Sequence, residues 1–261
     1  MTGTLLFSVS NGIATISFNR PAAMNSYNKE MGEELEEITE QVKTDASIRA
    51  VLLNGAGPLF MAGGDIQFFH DGLDKMPSGV MKIVRTLNAS ILNLMHMPKP
   101  VLASVHGSCA GVGMSFIMAC DLVIAAENTK FTMAYSGIGI VPDGGAGFNL
   151  PRIVGPKKAL EWIFFPDLFD ARTAELHGLV NWVVPQDKLA AETQIILNRL
   201  AHGPTQSYAH AKRLVNESWQ CGIETHLERE GRAFEACSVT ADFRAGVTGF
   251  LNKKKPEFIG K

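Results

Sequence analysis

Val101-Leu102-Ala103-Ser104-Val105-His106-Gly107-Ser108-Cys109-Ala110-Gly111-Val112-Gly113-Met114-Ser115-Phe116-Ile117-Met118-Ala119-Cys120 runs for twenty residues without one Asp, Glu, Lys or Arg. Its length matches a bilayer crossing. His106 lies inside it, however, and Gly107, Gly111 and Gly113 interrupt it. It reads instead as a buried strand over Val101–Val105, a glycine turn, and a buried helix over 111–120. Upstream, Met97-Pro98-Lys99-Pro100 stops a helix over 79–96. Downstream, Leu122–Ala126 is another strand. Nearer the start, Met31, Leu35, Ile38 and Val42 recur at helical spacing and predict a helix over 28–43, followed by a short strand at Ala50–Leu53. Leu5–Ser8 and Ile13–Phe18 are β-rich runs separated by Asn11-Gly12, a hairpin signal. Strands alternating with helices predict an α/β fold. After Val184 the texture becomes helical, over 186–201, 204–219, 222–236 and 239–251, with breaks at Gly203-Pro204, Gly222 and Ser238–Thr240. The expected division is an α/β core over 1–200 and a helical tail over 201–261.

The composition removes whole classes of function. Of 261 residues 46% are hydrophobic, which excludes intrinsic disorder. Lys and Arg number 24 against 26 Asp and Glu, so nothing in the net charge of −2 calls for nucleic acid as a partner. Cys109, Cys120, Cys221 and Cys237 form no CxxC pair, and MTGTLLFSVSNG does not read as a signal peptide. A reducing compartment, the cytoplasm, is expected, with no membrane association. The seven histidines include no HxxxH and no Cys/His cluster, so no metal site is expected.

Three glycine-rich segments could carry chemistry. Phe60-Met61-Ala62-Gly63-Gly64-Asp65 has adjacent glycines that let a backbone approach a ligand and expose its N–H groups. In His106–Gly113 a strand ends, glycines turn the chain and a helix begins, offering unpaired N–H donors and a dipole that favours negative charge. One donor from each loop, converging on one oxygen, would make an oxyanion hole. Each segment alone is equally a simple turn, and neither fits GxGxxG in a strand–turn–helix setting. In Gly137-Ile138-Gly139-Ile140-Val141-Pro142-Asp143-Gly144-Gly145, Asp143 stands among apolar residues and glycines. It suits a helix N-cap. The other reading is a catalytic carboxylate whose pKa burial would raise toward that of a useful base, although a helix N-terminus would lower it; the residues alone favour the cap. Ser–His–Asp chemistry cannot be argued from the spacing, and His96 and His106 read as structural.

Several ordered motifs together resemble the crotonase family, also called the enoyl-CoA hydratase/isomerase superfamily, over essentially the whole chain. They are Ser17-Phe18-Asn19-Arg20-Pro21 with Asn25-Ser26, the loop Phe60–Ile66, Pro98-Lys99-Pro100-Val101 through Gly113 to Cys120-Asp121, Val141-Pro142-Asp143-Gly144-Gly145, Leu150-Pro151-Arg152 and Gly155. The resemblance implies a spiral of ββα units with a C-terminal helical trimerisation region. It implies an acyl-CoA thioester as substrate, and homotrimers or hexamers. The thioester oxygen would be held by the N–H groups of Gly64 and Val112, with Ala62, Asp65, Ile66, Ser115 and Tyr135 as substrate-binding positions. No cofactor is implied beyond the coenzyme A moiety of the substrate. The hydratases of this family carry two glutamates where this chain has Ser115 and Tyr135, neither of which can serve as a carboxylate acid or base. Hydration needs both an acid and a base, so an isomerase with Asp143 as its one proton carrier is expected. The alternatives are an enoyl-CoA hydratase-like enzyme, Asp143 as a nucleophile in a hydrolytic or dehalogenating enzyme, and a non-catalytic acyl-CoA-binding subunit. Leu227-Glu228-Arg229-Glu230, Asp242-Phe243-Arg244, Gly246-Val247 and Phe250-Leu251 also resemble the subgroup of ring-epoxide-CoA isomerases of phenylacetate breakdown. Asp65 reads as a hydrogen-bond acceptor that fixes its loop.

Overall fold

The computed structural model describes residues 3–73 and 78–261, with 78 and 79 described by their backbone alone. The main sheet has six strands in the order β1 (Leu5–Ser10), β2 (Ile13–Phe18), β3 (Ala50–Gly55), β4 (Val101–Val105), β6 (Leu122–Ala126) and β9 (Trp182–Val184). β1 and β2 form the expected hairpin, with Asn11 and Gly12 both at positive φ as a tight primed turn requires. All further pairings in this sheet are parallel. A second sheet holds β5 (Ser108–Ala110), β7 (Lys130–Thr132) and β8 (Phe169–Asp170).

The two sheets advance in step. β3, β4 and β6 are neighbours in the large sheet. The residues that follow them, Met61, Cys109 and Phe131, pair in the same order in the small one. Each turn then closes with helix: α2 (Ile66–Asp71) and α3 (Ser78–His96), then α4 (Val112–Ala119), then α5 (Ala146–Val154). That is the ββα spiral.

Parallel strands buried on both faces should read as continuous apolar runs, and these do. Ile16, Phe18, Val51, Leu53, Val101, Ala103, Val105, Val123 and Ala125 face one core, with the buried stripe of α1 (Lys29–Thr44) and side chains of α3 and α4. Ile13, Ala50, Leu52, Leu102, Ile124 and Ala126 face a second, smaller core, closed by Leu189, Leu197 and Ala201 of α8 (Leu189–Ala201). β4 lies mid-sheet and every residue of α4 is buried, so the uncharged stretch that opens the sequence reading is the centre of the molecule. Among the described residues no helix is long and apolar enough to cross a membrane.

The short elements β5, β7, β8, β9, α2, α6 (Pro156–Phe164) and α7 (Ala171–Leu176) are not expected from the sequence, because two to nine residues are too few to display a clear period. The tail folds as α9 (Thr205–Glu217), α10 (Ile223–Ser238) and α11 (Ala241–Leu251), the last capped by Thr240, whose hydroxyl accepts from Phe243 N at 3.0 Å. Lys212 ties α9 to Asp121 at 2.8 Å, and Arg49 reaches from the core to Thr205 and to the carbonyl of Phe258. These helices leave large apolar side chains uncovered: Trp219, Phe234, Phe250 and Leu251 are each at least 70% exposed.

Candidate active site

The chain between β2 and α1 works as a buckle for the first glycine loop. Asn25 is fully buried. Its amide donates to the carbonyls of Ala56, Leu59 and Phe60 at 2.9, 2.9 and 3.2 Å, and its Oδ1 accepts from Arg20 N at 2.8 Å. Tyr27 then pairs with the loop as a strand would: its N–H donates to Gly63 O at 2.8 Å, and Asp65 N donates to Tyr27 O at 2.9 Å. Beneath, Phe18 meets Phe60 and Phe116 at centroid distances of 5.3 and 5.2 Å, joining β2, the loop and α4 in one aromatic cluster.

The same loop is registered against the second. Met61 N donates to Ser108 O at 3.1 Å and Ala110 N to Met61 O at 2.9 Å, which pairs Met61 with Cys109 in parallel. Three residues further along each chain lie Gly64 and Val112. The backbones touch between these points, for a Cβ placed on Gly111 would sit 3.4 Å from Gly63 Cα. Among the described residues, neither the N–H of Gly64 nor that of Val112 has a protein acceptor. Val112 is the first residue of α4, where the helix dipole adds positive potential. The structure thus joins the two loops picked out in the sequence, with the N–H groups of Gly64 and Val112 unused by the described residues.

Asp143 sits over the first turn of α4. The N-cap of α5 is Gly145, with no side-chain cap, so the capping reading of Asp143 is not realised. Its Oδ1 instead accepts from the Tyr135 hydroxyl at 2.8 Å. Ser115, one turn along α4 from Val112, donates to the Asp143 carbonyl at 2.9 Å and lies 2.9 Å from Tyr135 Oη. The close approach depends on Gly144 at φ +55°, whose missing Cβ would meet Ser115 Cβ at 2.9 Å and Leu87 at 3.2 Å. Burial pushes the Asp143 carboxyl above the usual carboxylate range, and the Tyr135 hydrogen bond opposes that shift. Burial, and then the nearby Asp143 charge, hold the Tyr135 phenol well above its ordinary value. Tyr27 is pushed up to about 12, chiefly by burial.

The remaining expected positions lie apart from this cluster. Asp65 caps α2, accepting from Phe68 N at 3.4 Å, and pairs with Arg20 Nη2 at 2.9 Å. Ala62 is half-buried, its N–H bound to Met24 O at 3.1 Å, and Ile66 is exposed at the head of α2. Among the described residues no three His, Cys, Asp or Glu side chains group as metal ligands. The buckle residues Arg20, Asn25 and Tyr27 received no role from the sequence. Their signal was a run of polar residues, Asn19-Arg20 and Asn25-Ser26, around a proline between two apolar elements.

The geometry can be set beside known proteins. A family model described as enoyl-CoA hydratase/isomerase matches residues 8–261. The 1,2-epoxyphenylacetyl-CoA isomerase of Escherichia coli (strain K12) is 35% identical over 258 residues, covering 98% of both chains. The crotonyl-CoA hydratase of Syntrophomonas wolfei is 34% identical over 254 residues, covering 95% of both. A crystal structure of an enoyl-CoA hydratase from Polaromonas sp. JS666 superposes with a TM-score of 0.94 at 27% identity, covering 98% of this chain and 100% of that one.

Proposed function

The chain belongs to the enoyl-CoA hydratase/isomerase family, and from that premise we propose that it isomerises acyl-CoA thioesters, with Asp143 as the single group that removes and returns the proton. In a 3-enoyl thioester, Asp143 takes a proton from C2. The electron pair of that C–H bond moves toward the thioester carbonyl, whose oxygen gains the charge. The N–H groups of Gly64 and Val112 hold that oxygen. The protonated Asp143 then delivers the proton to C4, and the double bond ends at C2. The shift adds no water and transfers no electrons to an acceptor, so it requires no cofactor beyond the coenzyme A of the substrate.

The observation that carries this reading is the placement of Asp143: not used as a cap, bound by Tyr135, and seated over the turn of α4 that begins with Val112. Ser115 and Tyr135 stand where the family resemblance puts the two hydratase glutamates, and both hydroxyls are turned onto Asp143 rather than offering an acid–base pair for water. The relative named 1,2-epoxyphenylacetyl-CoA isomerase supports a ring-epoxide thioester as the first substrate to try, with 3-enoyl thioesters second. The uncovered apolar faces of α10 and α11 support assembly into trimers or hexamers, and the cysteine pattern supports the cytoplasm as the compartment.

The test is a panel of ring-epoxide, 3-enoyl, dienoyl and 2-enoyl CoA thioesters with product analysis, on wild type and Asp143→Asn. The variant keeps the shape of the side chain and its acceptor for Tyr135 but cannot take a proton. Isomerisation is expected, with hydration of crotonyl-CoA orders of magnitude slower, and the variant should lose roughly 10²–10⁴-fold in turnover. Fast, clean hydration by the wild type, or a folded Asp143→Asn protein that isomerises normally, would overturn the reading. A covalent ester on Asp143 detected by mass spectrometry would reassign it as a nucleophile.

A further inference from the structure

Three short oxygen–oxygen contacts link Ser115, Tyr135 and Asp143: Tyr135 Oη to Asp143 Oδ1 at 2.8 Å, Ser115 Oγ to Tyr135 Oη at 2.9 Å, and Ser115 Oγ to Asp143 O at 2.9 Å. Their hydrogens can be counted. Each hydroxyl supplies one, and a carbonyl and an ionised carboxylate supply none. With Asp143 ionised, two hydrogens serve three contacts. The phenol then donates to Oδ1, the serine to the Asp143 carbonyl, and the Ser115–Tyr135 contact is left without a hydrogen. With a proton on Oδ1, all three contacts fill head to tail, from Asp143 to Tyr135 to Ser115 to the Asp143 carbonyl. Such a proton is held inside the ring, between Asp143 and Tyr135. Among the described residues Oδ2 has no partner in either state.

We propose that Tyr135, backed by Ser115, is the positioning residue of this site, clamping Oδ1 of Asp143 so that Oδ2 alone exchanges the proton with the substrate. The inference rests on Asp143 being the base. In the forward step the substrate C–H bond breaks, its electron pair stays with the substrate as the enolate, and an O–H bond forms on Oδ2. The Tyr135–Oδ1 hydrogen bond persists, so the carboxyl does not rotate and the proton stays aimed at the carbon to which it returns. In the free enzyme at low pH the ring closes through Oδ1 and the carboxyl is inactive. The groups that face Asp143 are Tyr135 from the turn after β7, Ser115 from α4, Tyr27 from the segment before α1, and the apolar Leu87 of α3 near Gly144. Burial raises both phenols above their ordinary values, so neither adds a titration to the acidic limb.

Tyr135 serves the anion as a charge-assisted donor and the acid only as a neutral partner. Charge-assisted hydrogen bonds are about twice as strong as neutral ones. Removing the phenol therefore favours the acid. The test is the pH profile of kcat/KM for three proteins: wild type, Tyr135→Phe, and the protein with 3-fluorotyrosine at position 135, a stronger donor of nearly the same shape. For Tyr135→Phe the acidic limb should move up by about one pH unit, and kcat should fall roughly 10–100-fold with little change in KM. The fluorinated protein should move the limb down. It decides the matter alone if the phenylalanine variant does not fold. An unmoved limb in the folded proteins, with Asp143→Asn inactive, would overturn the clamp and leave the base standing. A fully active Asp143→Asn would overturn the base itself.

Discussion

Gly111→Ala tests whether the Val112 donor is held rigidly. Gly111 has φ 51° and ψ −117°, outside the left-handed region that other residues reach and open in practice only to glycine. Space is not the obstacle, since the added Cβ would lie 3.4 Å from Gly63 Cα and 4.0 Å from Met133 O. The cost is torsional, about 1–3 kcal/mol if the backbone stays put. The chain could relieve it by rotating the peptide between Gly111 and Val112, which would swing the Val112 N–H away. That peptide is anchored, however: the Gly111 carbonyl accepts from Met114 N at 2.9 Å and Ser115 N at 3.3 Å. Breaking these two buried hydrogen bonds costs about 1 kcal/mol or more each, comparable to the strain. The expectation is that the anchors hold. The variant should unfold about 1–3 kcal/mol more easily, a fall of several degrees in Tm for a chain this size, while turnover per folded molecule stays within about tenfold. Denaturant unfolding and single-turnover isomerisation measure the two quantities. Unchanged stability with a loss of about 10²–10³ in turnover, the usual cost of one oxyanion donor, would refute the reasoning: the peptide would have flipped.

Asn25→Ala should lose about 2–4 kcal/mol, because it leaves three carbonyls and the Arg20 N–H without their buried partner; a loss under about 1 kcal/mol in urea unfolding would count against the buckle. Asp143→Asn should be at least as stable as wild type at neutral pH. The raised carboxyl pKa makes a stabilising contribution that is complete below the unfolded value and lost as pH rises through the folded one, and a lower Tm at pH 7 would contradict it. Wild-type protein should sediment as a trimer or hexamer, and Phe250→Glu, at a side chain now 85% exposed, should weaken that assembly; a wild-type monomer at micromolar concentration would refute it.

How much of this was legible depended on the length of each signal. The uncharged run from Val101 to Cys120 disclosed the central strand and helix because both are buried all round, and burial on that scale leaves no room for charge. The stripe Met31, Leu35, Ile38, Val42 disclosed α1 for a different reason: only one face is buried, so the apolar residues recur at helical spacing among charged ones. The second sheet was invisible: β5 and β7 have three residues each, and their pairing partners are far apart in sequence. Asp143 was legible as a candidate, but a carboxylate beside glycines and a helix start favours a cap over a base on the residues alone. The structure sets the cap aside, since Gly145 caps α5, and gives Asp143 a hydrogen bond from Tyr135, eight residues back, and one to its carbonyl from Ser115, twenty-eight back. Neither distance is encoded in any local pattern.

The exchange of a carboxylate pair for two hydroxyls has an electrostatic consequence. Neighbouring carboxylates in a buried site raise one another's pKa, because both cannot ionise cheaply. Ser115 and Tyr135 add donors without adding charge, so no second carboxylate adds to the upward pull of burial on Asp143, and the Tyr135 hydrogen bond opposes that pull. In the proposed reaction the site then carries one negative charge throughout. It sits on Asp143 before proton removal and on the thioester oxygen after it, and returns when the proton is delivered. A charge that moves without changing in number asks for a field that covers both positions. α4 supplies one: its first N–H, on Val112, is offered to the oxygen, and Ser115, on the same first turn, holds the Asp143 backbone. The helix that no charged residue enters is thereby the element that handles the charge. Its apolar surroundings keep water from screening that field, which makes each donor there worth more than it would be in the open.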